Sequence, residues 1–201
     1  MPVRADFAVV LDACVLAEAA VSDLFLRLSE EPRLLLPKWT ERIWDETTRT
    51  CVDKLGWRPD LAERRRSLAT AFFPEALVEG YEHLEAECVN DEGDRHVLAA
   101  AIHEHVETIV TSNLRHFPQE ALEPWGIVAV HPGSYLVTLY EHDAAVVFDK
   151  IRRIALDRNK SVEELLGRLA WAVPTFTHHV AIALDLDIPK VTPQDWLRSR
   201  P

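Results

Sequence analysis

Phe7-Ala8-Val9-Val10-Leu11-Asp12 is the stretch on which the fold turns: five apolar residues close on a bare carboxylate. An unbroken apolar run this short reads as a strand buried on both faces, as in a parallel sheet covered by helices. Open parallel sheets gather their ligands beyond the carboxyl ends of the strands, which makes Asp12 a ligand candidate. Two later segments follow the same plan. Asp94-Arg95-His96-Val97-Leu98-Ala99-Ala100-Ala101-Ile102 is a carboxylate opening an apolar helix, and Ile109-Val110-Thr111-Ser112-Asn113 is a second strand ending in polar groups.

The segments between them alternate. Val21, Leu24, Phe25 and Leu28 recur at three to four residues and predict an amphipathic helix over 17–28. Leu34-Leu35-Leu36-Pro37 reads as a short strand. Thr40 is placed to cap a helix through Ile43, Trp44 and Glu46 to about Leu55, and Pro59 opens another through Leu61, Leu68 and Phe72. Ala76-Leu77-Val78 reads as a brief strand, followed by a helix over 94–105 and a strand over 108–112. Trp125-Gly126-Ile127-Val128-Ala129-Val130 reads as a last core strand. The alternation implies an α/β fold with a mainly parallel sheet flanked by helices. Beyond Pro132 the pattern turns helical: 143–155 is amphipathic through Val147, Phe148, Ile151 and Ile154, and Ser161-Val162-Glu163-Glu164 is a capping box. The expected division is an α/β domain over 1–132 and a small helical C-terminal extension over 133–201.

With 48% hydrophobic and 27% charged residues, the 201-residue chain has the makeup of a soluble globular protein rather than a disordered one. No apolar leader precedes the first strand and charges interrupt every hydrophobic stretch, so neither secretion nor membrane spanning is expected, and the cytoplasm is the expected location. Cys14, Cys51 and Cys88 are an odd, widely spaced set, which suits reduced thiols and implies no disulfide framework or zinc ribbon. A net charge of −11 argues against a simple polyanion binder, but its distribution matters. Residues 133–201 hold nine basic and nine acidic side chains, so the whole excess lies in residues 1–132. A carboxylate cluster awaiting divalent cations contributes to such an excess, and so does a surface covered by a basic partner.

Hydrolysis of a phosphodiester near neutral pH needs an activated water and a stabilised, charged transition state, and one or two Mg²⁺ or Mn²⁺ ions supply both. The candidate ligands are Asp12 at a strand end, Glu46 on a helix face, Asp91 and Asp94 one turn apart at a helix start, and Asn113 at another strand end. Asp91 and Asp94 have an alternative role, since helix N-termini favour carboxylates and Asp91 can cap with Asp94 as its reciprocal partner. Thr111 and Ser112 either position a phosphate or a water or simply end the strand.

These residues resemble the PIN-domain ribonuclease family, including toxins of the VapC type. The likeness is carried by Val10-Leu11-Asp12-Ala13-Cys14-Val15-Leu16, by Asp94 to Ala101 as its most specific part, and by Val110-Thr111-Ser112-Asn113-Leu114-Arg115-His116-Phe117-Pro118, over roughly residues 6–132. The resemblance implies a PIN-like sheet and cleavage of single-stranded or looped RNA with Mg²⁺ or Mn²⁺. It further implies a cognate antitoxin whose tail blocks the acidic site, and a homodimer. Carried over, Asp12, Glu46 and Asp94 match the first three acids and Asp91 is a supplement. Asn113 stands where many members carry a fourth acid and supplies no charge. Arg95 and Arg115 are candidates for RNA phosphates, with surface solvation as the alternative. Arg64-Arg65-Arg66 and the Lys150/Arg152/Arg153/Arg158/Lys160 group read first as solvated helix faces and second as RNA tracks. His96, His103 and His105 are expected on the helix surface, and Trp39, Trp44, Trp57, Trp125, Trp171 and Trp196 as core or interface fillers. The alternatives are a PIN-like RNA- or protein-binding module with weakened catalysis and a structure-specific DNA nuclease.

Overall fold

The computed structural model describes residues 7–187. Four short strands, β1 (Ala8–Leu11), β2 (Leu36–Lys38), β3 (Thr108–Val110) and β4 (Val128–Val130), form one all-parallel sheet in the order β2-β1-β3-β4. Val9, Val10 and Leu11 of β1 are buried, as a strand covered on both faces requires. Ten helices surround the sheet among the described residues: α1 (Ala13–Ala17), α2 (Ala19–Leu28), α3 (Glu41–Arg49), α4 (Pro59–Phe72), α5 (Arg95–His103), α6 (Gln119–Leu122), α7 (Pro132–His142), α8 (Ala144–Asp157), α9 (Val162–Leu169) and α10 (Pro174–Leu184). None is long and apolar enough to cross a membrane.

Local chemistry explains several boundaries. Thr40 Oγ1 accepts the Ile43 N–H at 3.1 Å and starts α3, which ends in a π-helical turn over Thr50–Lys54. Ser161 and Glu164 form the reciprocal capping box of α9. Asp143 caps α8 through the Val146 N–H at 3.0 Å.

The structure corrects some expectations. The helix expected over 17–28 is α2, which starts at Ala19, and a separate short helix, α1, precedes it, because Glu18 takes an extended conformation between the two. The second strand lies two residues later than the leucine run. Leu34 and Leu35 are buried ahead of it, so apolar character there reports core packing rather than pairing. Ala76-Leu77-Val78 makes a single parallel bridge, Trp39 to Leu77, after a 3₁₀ turn over Pro74–Ala76. The last strand is an edge strand, with Val128 54% exposed and Trp125 in a 3₁₀ turn ahead of it. On α4, Leu61, Leu68 and Phe72 face solvent, while Ala62 and Ala69 are buried.

α7 to α10 do not stand apart. α8 packs on α2, α7 and α9, and α10 packs on α7. Phe25 stacks on Tyr135 at 6.2 Å, and Leu136, Ile151, Leu166 and Phe176 share one buried cluster with β1. Lys150, 2% exposed, crosses from α8 to donate to the Glu30 and Glu31 carbonyls at 3.0 and 3.1 Å. Trp39 and Trp44 fill the core edge to face, Trp57 lies under Arg65, and Trp125 and Trp171 are exposed. Trp196 lies outside the described residues.

Candidate functional site

The chain leaves β1 for β2 on one side and enters β3 on the other, so the connections diverge and leave a crevice at the strand carboxyl ends. Asp12 follows β1 and Thr111 follows β3, and the register Leu11 to Val110 sets them side by side. The Asp12 N–H donates to the Val110 carbonyl at 3.1 Å. Asp12 Oδ2 then accepts from Thr111 Oγ1 at 2.6 Å and from Cys14 Sγ at 3.1 Å. Asp12 is 2% exposed and Thr111 fully buried, so these bonds carry the solvation the carboxylate has lost. Having given its proton to Asp12, Thr111 Oγ1 accepts the Asn113 N–H at 2.9 Å, while Cys14 Sγ accepts the Ser112 N–H at 3.2 Å. Burial, with the Asp12 charge beside it, pushes the Cys14 thiol up to about 12 and keeps it a donor.

Asp12 and Asp94 occupy N-cap positions, of α1 and α5, yet neither side chain makes a capping bond. Asp94 Oδ2 instead accepts from His116 Nδ1 at 2.6 Å. Asp91 does cap, accepting the Gly93 N–H at 3.1 Å, and its own N–H donates to the His116 carbonyl at 3.2 Å. One donor atom from each of Asp91, Asp94 and His116 lies within 4.8 Å of the others. Among the described residues this is the group of three potential ligands held that closely. Asp12 and Glu46 stand outside it, and Asn113 takes part through its backbone, with its carbonyl accepting the His116 N–H at 2.8 Å.

Glu46 is brought to the crevice by α3, 27% exposed. Burial pushes its carboxyl up to about 7; Arg42 opposes the rise, and the charges of Asp12 and Asp94 add to it. Burial also raises Asp94, which the His116 hydrogen bond opposes and the Asp12 and Asp91 charges reinforce. The charges of Asp12 and Asp94 thus act on Glu46, and those of Asp12 and Asp91 on Asp94, across the end of β1, the face of α3 and the start of α5. His96, expected on the surface, is instead fully buried, because α5 is covered on all sides from His96 to Ala101. Its Nδ1 lies 3.0 Å from the Gly93 carbonyl and must donate to it. That leaves the Nε2 lone pair without a hydrogen-bond partner, 3.7 Å from Glu46 Oε1. Burial holds His96 down at about 4. His103 and His105 are exposed, as expected.

This donor set fits a divalent cation. It offers carboxylate oxygens and an imidazole nitrogen at ligand spacing, clustered negative charge that raises its own members, and an orphaned lone pair facing Glu46. The cationic candidates are mostly engaged elsewhere. Arg65 is buried against Trp57 and donates to the Leu16 carbonyl, and Arg66 pairs with Glu41 and Asp45. Arg152 and Arg153 pair with Asp149, Arg158 with Asp23, and Lys160 with Glu164. Most members of the two basic clusters are therefore paired, while Arg64 is exposed. Arg95 is half-buried, whereas exposed Arg115 donates to His116 Nε2 at 3.1 Å. Sequence reasoning missed His116 and Cys14 as site residues. Both lay inside the motifs, but only the 3₁₀ turn over Leu114–His116 folds the imidazole back onto Asp94.

No family model matches this chain, and no solved structure matches it. A protein of Mycobacterium tuberculosis named "Putative ribonuclease VapC50" is 38% identical over 133 residues, which cover 64% of this chain and 76% of that protein. With this relative and with a parallel four-stranded sheet wrapped by helices, the chain belongs to the PIN-domain ribonuclease family, as a VapC-type member.

Proposed function

We propose that the chain is a divalent-metal-dependent endoribonuclease and the toxin half of a type II toxin–antitoxin pair. What supports this reading is the group of Asp91, Asp94 and His116 held within 4.8 Å, together with the buried Asp12 carboxylate at the end of β1, in a chain 38% identical to a protein named as a ribonuclease. Asp94 would hold the cation, with Asp12, Glu46 and Asp91 as the further carboxylates that would serve it. When bound, Mg²⁺ or Mn²⁺ supplies the Lewis acidity that makes water nucleophilic and offsets the charge gathering on the phosphate. Thr111 fixes Asp12 Oδ2, Glu46 orients the attacking water, and Ser112 and Asn113 shape the rim beside the substrate. Arg95 and Arg115 contact RNA phosphates.

In this reading residues 1–132 are the nuclease domain and 133–201 a C-terminal extension whose described helices, α7 to α10, pack onto it. The protein works in the cytoplasm as a homodimer, and its antitoxin presents basic side chains to the acidic crevice. A pool of single-stranded and structured RNAs, incubated with purified protein in Mn²⁺, Mg²⁺ or EDTA, tests the activity. Cutting that needs metal and disappears in Asp94→Ala supports the nuclease. No cutting by folded, partner-free protein under either metal favours an RNA- or protein-binding module, and cutting confined to matched DNA favours a DNA nuclease.

A further inference from the structure

We propose that His116 ligates the divalent cation directly through Nδ1, giving this site a mixed nitrogen–oxygen donor set that discriminates in favour of transition-metal cations over Mg²⁺. The inference rests on the metal-dependent reading above and names the residue that sets its metal preference.

Geometry comes first. Donor atoms about 2.1 Å from one ion lie roughly 3 to 4 Å from each other, and the Asp91, Asp94 and His116 donors fall within 4.8 Å. One cation therefore reaches all three with small side-chain rotations. His116 and Asp94 are 27% and 14% exposed, open enough for a hydrated ion to enter and buried enough to hold it. The turn over Leu114–His116 aims the ring by backbone bonds, since the Asp91 N–H donates to the His116 carbonyl and the His116 N–H to the Asn113 carbonyl. The Asp94 side chain is also free of its helix, since it makes no capping bond at the start of α5.

Ring protonation follows from the contacts. Arg115 Nε donates to His116 Nε2 at 3.1 Å, so the ring proton sits on Nδ1 and is given to Asp94. Ligation through Nδ1 moves that proton to Nε2, where it faces the Arg115 donor. The exposed Arg115 then turns away into the crevice mouth, free to meet a phosphate. Mg²⁺ is a hard ion that favours oxygen donors and retained waters, whereas imidazole affinity rises from Mn²⁺ to Co²⁺ along the first transition row.

The test titrates metal-free full-length protein with CoCl₂ and with MgCl₂ by calorimetry, in the wild type, His116→Asn and His116→Asp. Asparagine can keep the hydrogen bond to Asp94 without the imidazole. The expected result is that His116→Asn weakens Co²⁺ by about tenfold or more and changes Mg²⁺ little, while His116→Asp narrows the Co²⁺/Mg²⁺ preference. Pulsed electron-spin resonance of Mn²⁺ in the wild type should show modulation from a directly bound imidazole nitrogen, a readout that needs no variant to fold. An unchanged Co²⁺/Mg²⁺ ratio in a folded His116→Asn, or no nitrogen modulation in a wild type that binds Mn²⁺, overturns the role of His116 and leaves the metal reading standing. No binding of any of these cations by the wild type overturns both.

Discussion

Replacing Glu46 by glutamine should stabilise the metal-free protein, and only above acidic pH. The carboxyl is raised from 4.5 to about 7 in the folded chain, first by burial and then by the charges of Asp12 and Asp94 against the pull of Arg42. A folded-state value above the unfolded one means that the native protein holds its proton longer than the unfolded chain. Its contribution to stability is full below pH 4.5 and is lost as pH rises towards 7. At about 1.4 kcal/mol per pH unit the ceiling on that loss is roughly 3 kcal/mol. Partial exposure of the side chain screens it, so ~1–2 kcal/mol is the working figure. For a chain of this size that is a difference in Tm of roughly 3–6 °C. Melting the wild type and Glu46→Gln in EDTA at pH 5 and pH 8.5 should give curves that nearly coincide at the lower pH and separate at the higher, with the variant the more stable. Adding Mn²⁺ at pH 8.5 should raise the wild type more than the variant, because the cation compensates charge that glutamine lacks. A wild type as stable as Glu46→Gln at pH 8.5, or a gap that does not depend on pH, would refute the placement of Glu46 among buried like charges.

Thr111→Val keeps the shape of the side chain but strips Asp12 Oδ2 of its 2.6 Å donor and the Asn113 N–H of its acceptor; urea unfolding should show a loss of about 1–3 kcal/mol. Lys150→Met should cost a similar ~1–3 kcal/mol, because the Glu30 and Glu31 carbonyls lose a charged donor that is 2% exposed, and hydrogen exchange should rise around residues 29–33. Cys14, with its thiol raised to about 12, should resist alkylation in the folded protein at pH 8 and react once urea unfolds the chain, as mass spectrometry of quenched samples can check. Ser161→Ala should cost about 1 kcal/mol by opening the capping box, with early exchange confined to α9.

The sequence carried the parts of this molecule that depend on neighbours along the chain. The apolar run before Asp12 and the strand before Thr111 announced parallel strands buried by helices, because such strands have no wet face to mark with alternation. Thr40, Pro59 and Ser161 announced helix starts, because the atoms that cap a helix lie within three residues of one another. Candidate status for Asp12 and Asp94 was legible for the same reason.

What the tertiary structure decided is what those carboxylates meet. Whether Asp94 caps its helix or turns to a partner depends on His116, which is 22 residues distant in sequence and 2.6 Å away in space. Whether Glu46 is an ordinary surface acid depends on burial and on charges delivered by β1 and α5, and no pattern within α3 encodes them. Arg65 and Arg66 look free in sequence and are occupied in the fold, while His96 looks like surface and lies in the core. Strand order could not be read either, since it rests on which edges pair across loops, and that order alone sets Asp12 against Thr111. The sequence alone settled where α3, α4 and α9 begin and that β1 is a buried strand, because capping and apolar runs are local, whereas the single bridge at Leu77 and the break at Glu18 were left to packing. The environment of each charge is a sum over the whole packed molecule, so the protonation and partners of the site groups existed only once the chain had closed around them.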